Sequence, residues 1–341
     1  MPLRYGLEAG RFRSDAARMS SLRFAVAVTA AATMALSASA AGKVTVRTAR
    51  NHRGWTDAVV LNNGHVEAVV VPSVGRLMQF RFATAVDGPI WENPQLMGKP
   101  MPEKPWDASH GSFGGDKTWP APQSQWNWPP PDVFDAVPLA FRVEADQTVV
   151  LTSPVSARFG IRTERRLTLS PDAPKLQIVT TYEKVSGPPM ETGVWVITQA
   201  KDPVGVYLPV PKDTKFPEGS SKELGGLPKD QSELKDGFVR LARDLKASHK
   251  IGNDASSIVW VGVHEVLRID IAREADGKYP DGGCSTEIYT NGDPVPYVEL
   301  ETLGPLHTLN VGDRISATNT YTLYHREGAN PLEQVKQILA H

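Results

Sequence analysis

The chain has 341 residues, 40% hydrophobic and 22% charged, which is the make-up of an ordinary folded protein and not of a disordered, collagenous or coiled-coil chain. Lysine and arginine number 37 against 38 aspartate and glutamate, so no basic surplus exists to neutralise a phosphate backbone and nucleic acid is excluded as a partner. The single cysteine, Cys284, can form neither an internal disulfide nor, alone, a thiolate zinc cluster. The N-terminus reads as an address. Arg4, Arg11, Arg13, Arg18 and Arg23 outnumber Glu8 and Asp15, an uncharged run follows at residues 24–36, and Ser37, Ala38, Ser39 and Ala40 come next. These are the three parts of a secretory signal peptide with cleavage after Ala40, and Met19 is an alternative start. The apolar run falls short of the roughly 20 residues of a membrane span. No cysteine follows it, against a lipoprotein, and no Arg-Arg pair precedes it, which favours the general secretory route over the twin-arginine one. Residues 1–40 are therefore expected to be a signal peptide. Residues 41–341 are expected to be a single mildly acidic domain, periplasmic or secreted, with no membrane span.

Glycine and proline number 28 each, and this density of helix breakers predicts many short strands joined by turns. A strand over residues 58–61, a turn at Asn62-Asn63-Gly64 and a strand over 65–71 form a hairpin, since both Asn and Gly tolerate positive φ. Pro72 and Gly75 break the chain before an alternating strand at 76–82. Residues 89–138 hold 11 of the 28 prolines and five of the eight tryptophans, Trp91, Trp106, Trp119, Trp126 and Trp128. This stretch reads as a long loop, either a lid over the core or a binding wall whose flat rings stack on sugar faces. Strands resume at 139–143, 148–152, 157–169 and 175–185. Residues 211–236 are polar and read as a surface excursion. Further strands are predicted at 257–263, 266–272, 285–289, 298–303 and 315–324. A C-terminal helix starts at Asn330, with Pro331 in its first turn and Glu333 placed to reach back to the cap. No Gly-rich phosphate loop is present, and neither a cofactor nor a metal site is read from the chain.

Three features in this order point to a family: a Val-Pro-Ser-Val-Gly-Arg turn at 71–76, a late strand Tyr-Val-Glu-Leu-Glu-Thr-Leu-Gly-Pro at 297–305, and a Gly312-Asp313 pair opening the last long strand. The chain resembles the galactose-mutarotase-like superfamily over nearly all of residues 50–325. Within it, Gly-Gly-Asp-Lys-Thr-Trp-Pro-Ala-Pro-Gln at 114–123, Trp-Val-Ile-Thr-Gln at 195–199 and the strand at 297–305 are similar to a bacterial family of unknown function. The resemblance implies an all-β fold, a large antiparallel supersandwich with a short C-terminal helix, and a carbohydrate or other small molecule as ligand.

In aldose mutarotases a late Glu on a Leu-Glu-Thr or Leu-Glu-Pro strand takes the anomeric proton and a mid-chain His protonates the ring oxygen. Leu300-Glu301-Thr302 is similar to the first element, which makes Glu301 the candidate base. Alternation puts Tyr297, Glu299 and Glu301 on one face, where repulsion between Glu299 and Glu301 raises one pKa if they share a site. The other reading is a solvated face bearing two carboxylates. The second element is missing: no His stands near Trp195 and Gln199, and His110, His249, His264 and His307 carry no motif. Lys117 is the candidate acid, or a partner for an acidic sugar, and Gly114 and Gly115 suggest close approach to a ligand; the other reading is a turn in which Asp116 and Lys117 form an ion pair. Arg76, Asp116, Trp119, Gln123, Trp126, Trp195, Gln199 and Glu287 complete the candidate binding set. Three functions fit: an exported sugar mutarotase or epimerase, a non-catalytic envelope sugar-binding protein, or a polysaccharide lyase or hydrolase-like module.

Overall fold

The computed structural model describes residues 43–49, 51–102, 112–126 and 128–340. The segment expected to be a signal peptide and the expected cleavage site after Ala40, together with Trp106 and His110, lie outside the described residues. The chain order is β1 (Thr45–Ala49), β2 (Ala58–Asn62), β3 (Val66–Val71), β4 (Arg76–Phe82), β5 (Asp116–Ala121), a short helix α1 (Asp132–Asp135), β6 (Ala140–Val143), β7 (Val149–Thr152), β8 (Ile161–Leu169), β9 (Lys175–Lys184) and β10 (Met190–Lys201). It continues as β11 (Gly205–Pro209), β12 (Ser232–Lys235), β13 (Phe238–Leu241), β14 (His249–Asn253), β15 (Ser257–Val261), β16 (Glu265–Ile271), β17 (Thr286–Thr290), β18 (Tyr297–Leu303), β19 (His307–Leu309), β20 (Arg314–His325) and helix α2 (Pro331–Leu339).

All named pairings are antiparallel and fall into two ten-stranded sheets. The first runs β1-β2-β3-β4-β5-β10-β18-β17-β14 with β19 attached to β10, and the second runs β12-β13-β11-β15-β16-β20-β9-β8-β7-β6. Period-2 alternation makes each strand two-faced, as in β8, where buried Ile161, Thr163, Arg165, Leu167 and Leu169 alternate with half-buried residues. The inner faces meet in one core, to which Leu61, Leu77, Phe80, Ile288 and Leu300 come from the first sheet and Leu151, Ile178, Leu267 and Leu323 from the second. One ionic cluster lies inside the sandwich. Asp116 on β5 receives hydrogen bonds from Thr198 and Tyr321, each at 2.6 Å, and is paired with Arg165.

The first hairpin forms as predicted, although only Gly64 takes a positive φ, at 87°. Asn63 serves instead through its side chain: Oδ1 accepts from the amides of His65 and Val66, and Nδ2 donates to the carbonyls of Ser170 and Ala173 in the β8–β9 turn. One sequence reading fails and another gains a strand. The Trp/Pro stretch is not a continuous loop, since β5 lies within it at the middle of the first sheet. Pro120 is tolerated because β5 meets β4 only at Leu77 and Asp116, leaving that flank of the proline without a ladder to interrupt. The polar excursion holds β12, which pairs with β13 across Asp236-Gly237, both at positive φ. Its polarity is that of an edge strand. Helix α2 is capped by Asn330, whose side chain accepts from the Leu332 amide, while Glu333 bonds Lys336 instead of reaching back. Val335 and Ile338 seat the helix on Tyr207, Val259 and Val266, on the outer face of the second sheet.

Candidate functional site

The pleat of β18 sends Val298 and Leu300 into the core and turns Tyr297, Glu299 and Glu301 to the outer face of the first sheet. Register then selects their neighbours. Glu301 stands opposite Ile197 on β10 and Glu287 on β17, while Glu299 stands opposite Gln199 and Tyr289. One strand further, Ile197 is opposite Lys117 and Trp195 opposite Trp119. The backbones of Lys117 and Glu301 are thus two strand spacings apart, about 10 Å. Arg76, Lys117, Trp119, Trp195, Gln199, Glu287, Glu299 and Glu301 therefore share one outer face, and all are buried. The reading of Glu299 and Glu301 as a solvated pair does not hold.

Two cation, tryptophan and carboxylate groups make up this face. In one, the Lys250 ammonium from β14 lies 2.7 Å from Glu287 and 3.0 Å from Glu301, and 4.6 Å from the centroid of the Trp195 ring. Trp195 Nε1 donates to Glu301 Oε2 at 2.8 Å, the same oxygen that Lys250 engages. In the other, Asp135 Oδ1 is shared by Arg76 and Lys117 at 3.0 Å each, and the Lys117 ammonium lies 4.2 Å from the Trp119 ring centroid. A hydrogen-bond chain runs from the second group to Glu299: Arg76 donates to Ser112, Ser112 to Gln199 at 2.6 Å, and Gln199 to Glu299 Oε1 at 2.9 Å.

Burial, and then the adjacent Glu301 charge, push the Glu299 carboxyl up to about 7. Burial likewise raises Glu287. Burial also drives the Lys117 ammonium below the ordinary lysine range, against the pull of Asp135. For Lys250 the order reverses: the burial penalty is outweighed by Glu287 and Glu301, which hold its charge firmly. The face thus combines a carboxyl that titrates near neutrality with a neighbouring carboxylate anchored through one oxygen, an arrangement suited to moving a proton at two nearby atoms.

Three of the sequence candidates lie elsewhere. Asp116 is on the inner face of β5, since the pleat that exposes Lys117 to the site turns its neighbour into the sandwich, so it is no ligand group. Gln123 follows the end of β5 in an exposed 3-10 turn. Trp126 is buried behind Trp119, edge-on at 5.5 Å, with its Nε1 donating to the Pro120 carbonyl. Arg76 reaches the face but is engaged by Asp135, Ser112 and the Gly114 carbonyl. The glycines do not make room for a ligand. A Cβ on Gly114 would stand 2.2 Å from the Trp91 carbonyl oxygen and one on Gly115 2.8 Å from that of Leu77, so both let β5 approach the chain's own backbone.

Trp119 and Trp195 are themselves buried, packed edge-on at 5.3 Å, whereas Trp128 is 61% exposed and meets Trp119 at 6.2 Å. Among the described tryptophans Trp128 is the one most exposed to solvent, with the half-buried Tyr289 and Tyr297 at the Glu299 end. Sequence reasoning missed Lys250 and Asp135. The alternation of Lys250 with buried Ile251 was a usable signal for the first; Asp135 sits on α1, whose contact with β5 no local pattern foretells. No described histidine bonds to or stacks on these side chains: His249, on the opposite face of β14 from Lys250, bonds Asp244 instead.

No family model matches the chain, and no curated protein matches it in sequence. Solved structures do match in shape. A galactose mutarotase-like protein from Lactobacillus casei superposes with a TM-score of 0.53 at 10% identity, covering 78% of this chain and 100% of that one. Slr1438 from Synechocystis gives 0.53 at 11% identity, over 79% and 96%. A TPR-domain containing protein from Parabacteroides distasonis gives 0.56 at 12% identity over 80% of this chain, which spans about half, 48%, of that longer one. The chain has the galactose-mutarotase-like fold.

Proposed function

We propose that this is an exported carbohydrate-binding protein that interconverts the anomers of its bound sugar, with Glu301 as base and Glu299 as acid. The observation that carries this reading is the anchoring of Glu301. Both of its donors, Trp195 and Lys250, engage Oε2, and among the described residues none engages Oε1, which is left to take a proton. Glu299 is held, among the described residues, through Oε1 alone, and at about 7 it keeps a proton to give below neutrality. The two stand two residues apart on one strand, about 7 Å between backbones. Glu301 would take the anomeric hydroxyl proton while Glu299 gives its proton to the ring oxygen. The C1–O5 bond opens to the aldehyde, rotation about C1–C2 turns the carbonyl over, and closure returns both protons. Glu299 thereby stands in for the histidine that the resemblance calls for.

The test is a calorimetric screen of monosaccharides and glycans on residues 41–341, followed by magnetisation-exchange NMR between α and β anomers of any sugar that binds. Glu301→Gln keeps the shape and removes the base, so binding should persist and exchange should fall by about a hundredfold or more. A second reading, binding without turnover, is favoured by the sharing of one lysine between Glu287 and Glu301. It is chosen if wild-type protein binds a sugar and never accelerates exchange. Export is checked by N-terminal sequencing of periplasmic material, which should begin at Ala41; a mature chain retaining residues 24–36 would be an anchored protein.

A further inference from the structure

Glu301 is an unusual base in being ion-paired and still half uncommitted, and the residue responsible is one that neither the resemblance nor the sequence pattern marks. We propose that Lys250 is the positioning residue of this site, holding Glu301 by one oxygen so that the other faces the ligand. The assignment rests on the reading of Glu301 as base.

The geometry has three parts. Lys250 and Glu301 stand on β14 and β18 with β17 between them, so the lysine side chain must cross over Glu287 to reach Glu301 Oε2. Its path is fixed by the Trp195 ring beneath the ammonium, 4.6 Å from the centroid, and by Glu287 at 2.7 Å. Trp195 donates to that same Oε2, so two donors from different strands clamp a single oxygen and define the rotation of the carboxylate about its own axis. Exposure separates the roles. The Lys250 side chain is 24% exposed, whereas those of Glu287 and Glu301 are 0% and 1% exposed. The lysine therefore stands between the buried carboxylates and solvent, and without it two adjacent carboxylates would be buried with no counter-charge beside them.

Among the described residues, the charged or titratable groups that interact with this cluster are Glu287 and Tyr289 on β17, Glu299 and Tyr297 on β18, Lys117 on β5, Arg76 on β4, and Cys284 and Asp281 beside Glu287. The carboxyls thus take up protons as a coupled set. Lys250→Met removes the charge and keeps most of the stem, and Lys250→Arg restores the charge. The measurement is a carbon-13 NMR titration of the glutamate carboxyls in mature wild type and both variants. In Lys250→Met the buried set should protonate about one to three pH units higher, whereas Lys250→Arg should follow wild type. In exchange assays Lys250→Met should lower kcat at least tenfold with a smaller change in KM, and Lys250→Arg should recover most of it. If Lys250→Met does not fold, Lys250→Gln, which keeps a donor without charge, takes its place with the same upward titration expected. A folded, uncharged variant whose buried carboxyls titrate as in wild type overturns the assignment. The titration needs no sugar, so absence of anomer exchange in wild type would overturn the epimerase reading and leave the titration result to judge the clamp.

Discussion

Replacing Glu299 by Gln keeps the side chain's size and the acceptor for Gln199 while removing a carboxyl that the fold penalises when ionised. The size of that penalty follows from its shift. The group moves from an ordinary 4.5 up to about 7 in the folded protein, chiefly through burial and then through Glu301. At about 1.4 kcal/mol per unit this amounts to about 3 kcal/mol. The sign is that of a carboxyl raised on folding: its favourable protonated state is intact below pH 4.5, and the stability it represents is lost as pH climbs through 7. Glu299→Gln should therefore match wild type near pH 4.5 and be more stable by about 3 kcal/mol at pH 8. Urea unfolding of both proteins at half-unit intervals between pH 4.5 and 8, with a common m-value, reads the difference directly. Because the comparison is a difference, the titration of every other carboxylate cancels, apart from the coupled Glu301 and Glu287. A difference that stays flat across this range would refute the argument that Glu299 is buried beside a charged Glu301.

The same group sets the pH profile of any anomer exchange: the rate should fall by about tenfold per unit above pH 7 as the acid loses its proton, and a profile flat to pH 9 removes Glu299 from that role. Trp119→Ala opens a hole in a buried aromatic cluster and should cost about 3–5 kcal/mol in urea unfolding. Trp128→Ala, at an exposed ring, should stay within about 0.5 kcal/mol and lower sugar affinity, which makes it the cleaner probe of stacking. Arg165→Met strips the counter-charge from Asp116 inside the sandwich and should cost about 3–5 kcal/mol, whereas Tyr321→Phe should cost about 1–3 kcal/mol.

Much of the architecture was legible because two-residue alternation is a local signal. The hairpin at Asn63-Gly64, the strands at Arg76, Ile161 and Lys175 and the helix cap at Asn330 are all written within a few residues of where they form. Glu299 and Glu301 were placed on one face by the same rule. What stayed hidden depends on register between distant strands. Asp116 and Lys117 looked like one polar pair, and nothing in their spacing tells which of them faces inward; pairing with Thr198 and Ile197 decides it. Lys250 becomes a partner of Glu301 only because β14 and β18 both pair with β17, and Asp135 reaches Lys117 from a helix outside the sheet. Gly114 and Gly115 were read for the right property, missing side chains, with the wrong neighbour in mind.

In β5 the adjacency of Asp116 and Lys117 has a consequence for how this sequence can vary. Slipping the strand by one residue would carry the lysine into the sandwich against Arg165 and bring the aspartate out beside Glu299, creating like-charge contacts on both sides of the sheet at once. A single inserted or deleted residue anywhere between Gly115 and Trp119 should therefore be lethal to folding, where the same change in the polar stretch before β12 would be absorbed. The six residues of β5 act as a registration mark: they are readable by two environments, and only one alignment satisfies both.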